Sequence, residues 1–257
     1  MSIEASLSRH KRIALQFSGG KDSMACLYLL RPHLDRITVY WLNAGDEFED
    51  THAIINQCRE FIPHFTEIKT DSLAWRAENG IPSDLVPTFN TQLGMFAKFG
   101  DFKISDRFAC CYFNLMEPMH AKMLADGVTC IIRGTKACDM PELPRNSGYS
   151  EGGVELYYPL ENWTHAQVFA FLREVDAPIH PCYDYGDYGV TCQSCTAWWN
   201  ESQHKYRRAR DPELHGAVSQ QMTRIRSAID VSLAHLSNQN GDPGLVGLVK
   251  PDLAVTE

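Results

Sequence analysis

Apolar residues in the first part of the chain fall in short blocks separated by polar, glycine-containing turns. Ile13 to Phe17 is one block and reads as a buried strand. Ser18 to Ser23 follows as a turn, and Met24 to Leu30 as an apolar helix stopped by Pro32. Ile37 to Leu42, β-branched and aromatic, predicts a second strand. Thr51 to Phe61 predicts a helix, Phe65 to Thr70 a third strand and Ser72 to Asn79 a short helix. Gly80 to Gly100 holds two prolines and three glycines, which suits an active-site loop or lid and no regular element. Ser105 to Ala125 reads as one long helical stretch, and Val128 to Arg133 as another buried strand. Thr164 caps a helix over His165 to Val175, with Val168, Phe169 and Leu172 on one face. Pro178 to Gly189 is a second irregular loop, and helices fill Ala197 to Arg210 and Pro212 to Leu236.

Strands alternating with helices imply an α/β fold: a doubly wound, mainly parallel sheet with helices on both faces, followed by C-terminal helices. The expected organisation is an α/β domain over residues 1–200, C-terminal helices packed on it over 201–236, and a loose or partner-bound tail over 237–257. A length of 257 residues suits one large domain with a small appendage.

Composition narrows the setting. The first twelve residues are polar, with no signal-peptide core, and no apolar run is long enough to span a membrane. Nine cysteines without a secretion signal point to a reducing, cytoplasmic setting, and to metal-binding or catalytic thiols before disulfides. The net charge of −8 argues against a generally basic nucleic-acid binder. A local cluster, Lys205, Arg207, Arg208, Arg210, Arg224 and Arg226 with Trp198, Trp199 and Tyr206, offers a nucleic-acid surface or an ordinary charged helix face; the second reading is favoured because Glu201, Asp211, Glu213 and Asp230 dilute it.

The first strand–turn–helix carries the chemistry. Glycines let a backbone approach an anion closely, and turn amides with a helix N-terminus point at it. Ser18, Gly19, Gly20, Lys21, Asp22 and Ser23 therefore form a candidate phosphate cradle, with hydroxyl donors from the serines and a point charge from Lys21. Asp22 repels phosphate unless it binds a metal or caps the helix. The acidic loop Asp46, Glu47, Glu49 and Asp50 follows the second strand and is a candidate for Mg²⁺ or ribose hydroxyls, or is a solvated loop with first-turn acids. Gly134 and Lys136, after the Val128–Arg133 strand, add a candidate anion ligand. The cradle resembles the PP-loop of the ATP pyrophosphatase superfamily, with its adenine nucleotide alpha-hydrolase-like fold. That resemblance implies cleavage of ATP between the α- and β-phosphates, with Lys21 and Asp22 in catalytic roles and Mg²⁺ as companion.

Cys110 and Cys111 are adjacent, and Cys192 and Cys195 form a CxxC pair eighty residues further on. Two pairs of thiolates can hold zinc or an iron–sulfur cluster. Adjacent cysteines direct two thiolates at one small ion poorly but reach two irons of a cubane, so [4Fe–4S] is the leading expectation; zinc is the alternative, and buried thiols without metal the third. This spacing resembles the signature of adenylyl-sulfate reductases in the sulfonucleotide reductase family. Glu117-Pro118-Met119, Tyr158-Pro159-Leu160 with Trp163-Thr164, and His180-Pro181-Cys182-Tyr183-Asp184-Tyr185-Gly186 agree with that family's flanking segments, and the likeness covers roughly Arg12 to Thr196.

Three departures matter. The phosphate loop is the full version of the ATP-splitting branch. No cysteine follows Cys195 in this sequence, whereas those reductases use a cysteine in a C-terminal motif; Cys138 or Cys182 could substitute, but the favoured reading of each is a buried or loop thiol. The family's basic pairs appear here as Asn114-Leu115 and Lys136-Ala137, which weakens the case for a highly anionic sulfonucleotide. The combination resembles sulfur-transfer enzymes of DNA phosphorothioation and tRNA thiolation. It implies ATP, a sulfur donor such as a cysteine desulfurase or a reductant, a nucleic-acid or small-molecule acceptor, and assembly as a homo-oligomer or multi-subunit complex. A sulfonucleotide reductase and a non-catalytic nucleotide-sensing subunit are the alternatives.

Overall fold

The computed structural model describes residues 3–85, 88, 102–140, 145–190, 192–197 and 201–240, with the main chain alone at 201 and 236–240. Most of the expected lid, Trp198, Trp199 and the end of the expected tail lie outside the described residues. In chain order the first elements are α1 (Ile3–Leu7), β1 (Ile13–Gln16), α2 (Lys21–Leu29), β2 (Ile37–Asn43), α3 (Glu49–Arg59), β3 (Phe65–Lys69), α4 (Ser72–Asn79) and β4 (Ile81–Ser83). Then come β5 (Ile104–Asp106), α5 (Arg107–Cys111), a π-helical turn (Tyr112–Met116), α6 (Glu117–Ala125) and β6 (Cys130–Ile132). The described elements end with β7 (Ser150–Glu151), β8 (Val154–Tyr157), α7 (His165–Glu174), α8 (Glu201–Arg210) and α9 (Pro212–Asn240). Contacts divide the chain into two units: residues 1–72, 112–193 and 200–206, and residues 73–111, 194–199 and 207–257.

The first unit holds a six-stranded sheet in the order β3-β2-β1-β6-β8-β7. All neighbouring pairs are parallel except β7 with β8. Alternate strand residues point to opposite faces, and each face is covered. Ile13, Leu15, Val39, Trp41 and Ile132 pack with Met24 and Leu27 of α2, Ile54 and Ile55 of α3, and Val168 and Leu172 of α7. Ala14, Tyr40, Ile131 and Leu156 meet Met119 and Met123 of α6 on the other face. This is the expected doubly wound arrangement. A fully buried leucine such as Leu15 contributes about 2 kcal/mol through removal from water. The connections run outward from β1 in both directions, to β2 and β3 and to β6 and β8. The carboxyl end of β1 is therefore the topological switch point, where such sheets bind ligands.

Two local expectations are corrected. Ser105 to Ala125 is not one helix: Ser105 belongs to β5, and a π-helical turn separates α5 from α6. Pro118 explains the break. It has no N–H to give the carbonyl four residues back, that of Asn114, and this carbonyl accepts the Thr70 hydroxyl at 2.8 Å instead. Gly80 to Gly100 is not wholly irregular: Ile81–Ser83 forms β4, paired parallel with β5. The β7–β8 hairpin answers to no expected element. Gly152 and Gly153, at φ +59° and +82°, form its two-residue turn.

The second unit contains the parallel pair β4–β5. Met222, Ile225, Ala228 and Ile229 recur at helical spacing on one face of α9 and pack on Ile81, Phe102 and Ile104.

Candidate active site

At the switch point, in the first unit, lies a cavity of about 770 Å³. That volume is in the range of a small-molecule site. Ser18, Gly19, Gly20, Asp22 and Ser23 form one side of it. Arg133, Gly134, Thr135 and Asp139, from the loop after β6, also line it. Phe17, Trp41, Leu42, Leu115, Met116 and Met119 supply apolar wall. The polar side suits phosphates and the apolar side suits a purine.

The loop is held by its own side chains. Gly19 sits at φ +76°, which favours glycine. The Ser18 and Ser23 hydroxyls are 3.1 Å apart, and Ser23 Oγ donates to the Gly20 carbonyl at 3.0 Å. The Lys21 amide donates to Tyr183 Oη at 2.9 Å, and Lys21 Nζ lies over the Tyr183 ring at 5.5 Å. Gly134 is needed for a different reason: a Cβ there would come within 2.6 Å of the Asp22 backbone, so the β6 loop can lie against the phosphate loop only with glycine.

Asp22 neither caps α2 nor stands alone. Its carboxylate bridges two lysines, with Lys21 Nζ at 2.9 Å from Oδ2 and Lys136 Nζ at 2.7 Å from Oδ1. Lys136 is fully buried, and its ammonium also reaches Asp139 at 2.9 Å. Burial works against that charge, but hydrogen bonds and attraction from Asp22 and Asp139 outweigh it and hold the Lys136 pKa above the ordinary lysine value. The four groups balance: two ammonium groups against two carboxylates.

The other predicted residues are placed as follows. Asp46 is buried and is not among the residues lining the cavity; its carbonyl accepts the Gln193 amide at 2.6 Å. Glu47 lines the cavity, but its two carboxylate oxygens accept the amides of Ala44 and Asp46 at 2.7 and 3.1 Å. Asp50 accepts a hydrogen bond from the Tyr206 hydroxyl. Asp22, Glu47 and Asp139 are thus the carboxylates that line the cavity among the described residues. Sequence reasoning gave no role to Tyr183, Arg133, Trp41 or His120, all of which line the cavity. Tyr183 had a signal, since it stands in the His180–Gly186 segment; the others had none.

No disulfide joins any of the nine cysteines. Cys110, Cys111 and Cys195 belong to the second unit, whereas Cys192 belongs to the first and lines the cavity. Burial pushes the Cys111 thiol up to about 11, and Cys110 and Cys195 beside it add to the rise, while Arg107 and Arg76 oppose it. Three thiols near one another with two guanidinium groups at hand fit an anionic thiolate-bound group. Arg76 donates to Ser194 Oγ at 2.8 Å and so fixes the CxxC turn.

Of the two substitute thiols, Cys182 is buried and pushed up to about 12 by desolvation, whereas Cys138 is exposed. In the basic cluster, Arg207 is buried and donates to the Cys195 carbonyl at 3.3 Å, and Arg224 lies 4.5 Å from the Phe102 ring centre. No described helix is long and apolar enough to cross a membrane.

The model of the phosphoadenosine phosphosulfate reductase domain family matches residues 12–198. An adenosine 5'-phosphosulfate reductase of Burkholderia cepacia is 24% identical over 210 residues, covering 76% of this chain and 78% of the relative. Another, from Allochromatium vinosum, is 25% identical over 228 residues, covering 80% and 84%. Among solved structures, the phosphoadenylyl-sulfate reductase from Candida auris in its phosphate complex aligns with a TM-score of 0.48 at 15% identity, covering 67% of this chain and 76% of that one. The family match spans most of the sequence and includes the phosphate loop, the β6 loop and both cysteine pairs, so this chain belongs to the phosphoadenosine phosphosulfate reductase domain family.

Proposed function

We propose that the protein is an ATP pyrophosphatase that adenylates an acceptor for sulfur transfer. The observation that carries this reading is the pair of lysines, Lys21 and Lys136, gathered on Asp22 beneath a complete Ser-Gly-Gly-Lys-Asp-Ser loop. Asp22 keeps both ammonium groups beside the loop, where an entering triphosphate can take them over. Negative charge grows on the leaving pyrophosphate, and cations held in place beforehand stabilise it without reorganisation. The acceptor oxygen attacks the α-phosphorus, the bond to the β-phosphate bridging oxygen breaks, and pyrophosphate departs with those electrons. A sulfur nucleophile then displaces AMP. Asp22 and Glu47 are the candidates to meet Mg²⁺ with the nucleotide.

Cys110, Cys111, Cys192 and Cys195 are the residues that would hold a [4Fe–4S] cluster, which would anchor or pass the sulfur. The donor would be a cysteine desulfurase or similar sulfur source, and the acceptor a nucleic acid or small molecule.

A second reading, a sulfonucleotide reductase releasing sulfite, is supported by the names of the curated relatives. It needs an accessible thiol, and Cys138 supplies one.

The test is anaerobic incubation of the purified chain with ATP and Mg²⁺, reading AMP and pyrophosphate. With no acceptor added, water takes the acceptor's place at the α-phosphorus, so AMP and pyrophosphate are expected in equal amounts, with a loss of at least about a hundredfold in Lys21→Ala. Equal rates in the variant and the parent would remove the lysine pair from the chemistry.

A further inference from the structure

We propose that Cys138, Asp139 and His165 form a binding site for a divalent ion of the zinc class at the edge of the nucleotide cavity, separate from the CC/CxxC cysteines. One ligand atom from each residue lies within 4.8 Å of the other two. A tetrahedral ion with bonds of about 2.0 to 2.3 Å sets its ligands about 3.3 to 3.8 Å apart, so small side-chain adjustments close the shell. The donors are a thiol, a carboxylate and an imidazole, the set that borderline divalent ions select over Mg²⁺ or Ca²⁺.

Both carriers of the triad are fixed. Cys138 and Asp139 sit in the short 3-10 turn Ala137–Asp139, and the amide of Lys136, the residue that caps the turn, donates to Asp139 Oδ2 at 3.2 Å. His165 is the first residue of α7, pinned by the reciprocal hydrogen bonds of Thr164 and Gln167. Cys138 Sγ contacts the Trp163 carbonyl at 3.3 Å, which holds the thiol on the His165 side of the turn.

A second observation concerns the imidazole. His165 Nε2 stands 3.7 Å from Asp139 Oδ1, while Nδ1 is buried with no hydrogen-bond partner. Nε2 is thus the ring nitrogen turned to Asp139, at a separation too long for a hydrogen bond and close to that of two ligands sharing a tetrahedral ion. The adjacent lysine does not forbid a cation. Lys136 and Lys21 are already offset by Asp22 and Asp139, so the thiolate of Cys138 leaves the site anionic before the ion arrives. Three protein ligands leave a fourth position, and Asp139 is itself part of the cavity lining, so water from the cavity would complete the shell.

The test uses the full-length chain with its iron intact, equilibrated with Zn²⁺ and freed of excess by gel filtration. Zinc and iron per chain are then measured. The parent is expected to retain one zinc more than Cys138→Ser and one more than His165→Ala, with iron equal in all three. Zinc-edge X-ray absorption of the parent should show a single sulfur at about 2.3 Å with nitrogen and oxygen neighbours. Equal zinc in parent and variants, or an all-sulfur shell, would overturn the site. Cys138 is exposed, so Cys138→Ser decides the matter even where His165→Ala fails to fold. Zinc retention is read without ATP, so its outcome and that of the pyrophosphate assay are independent.

Discussion

At the scale of single residues, the site is organised by charges that meet only in the folded chain. Asp22 is awkward in a phosphate loop until Lys136, 114 residues away, is placed against it. No local pattern announces that partnership, because it depends on β1 and β6 being neighbours in the sheet. Lys136→Met should cost about 3 kcal/mol in urea denaturation, since it leaves two carboxylates without their buried partner. The Lys136 pKa is raised on folding, so its contribution is complete below the ordinary lysine value near 10.4 and is lost as pH climbs through the raised one. The stability gap between parent and variant should therefore be flat from pH 7 to 9 and shrink only in stronger alkali. Thiol chemistry separates two cysteines that look equivalent in sequence. Desolvation pushes the Cys182 thiol up to about 12, so it stays protonated at pH 8, and it is buried. Brief iodoacetamide treatment of metal-free protein followed by peptide mass spectrometry should label Cys138 at least tenfold faster than Cys182. Equal labelling would contradict the burial that distinguishes them.

At the scale of elements, legibility follows the strength of local signals. Ser72–Asn79 is read to the residue, and the Thr164 cap places the start of α7 correctly because a hydroxyl followed three residues later by Gln167 satisfies two orphan amides. Thr164→Ala should lower stability by about 1 kcal/mol, seen as a lower thermal midpoint with the far-ultraviolet spectrum otherwise retained. An unchanged midpoint would show that the cap is dispensable. The stretch over Ser105 to Ala125 was less legible. Helix propensity there is continuous, but Pro118 removes one donor and Thr70 claims the carbonyl so released, a tertiary event. The β7–β8 hairpin was missed for another reason: its strands are short, with only the Gly152-Gly153 pair to betray them.

At the scale of the molecule, alternating apolar blocks were enough to indicate a parallel sheet covered on both faces, and the switch point at β1 puts the Ser18–Ser23 loop where sheets of this kind bind ligands. The contact pattern that groups Cys110, Cys111 and Cys195 in a second unit was not legible, because it depends on long-range packing around α9. Membership of the reductase domain family and a complete ATP-type loop pull the function in two directions, and the substrate decides between them. The deciding measurement is a side-by-side anaerobic incubation of the same preparation with ATP–Mg²⁺ and with adenylyl sulfate plus a dithiol, following pyrophosphate and sulfite. The lysine pair on Asp22 predicts pyrophosphate from ATP and no sulfite from adenylyl sulfate; sulfite release without ATP cleavage would contradict the account and make Cys138 the thiol to test.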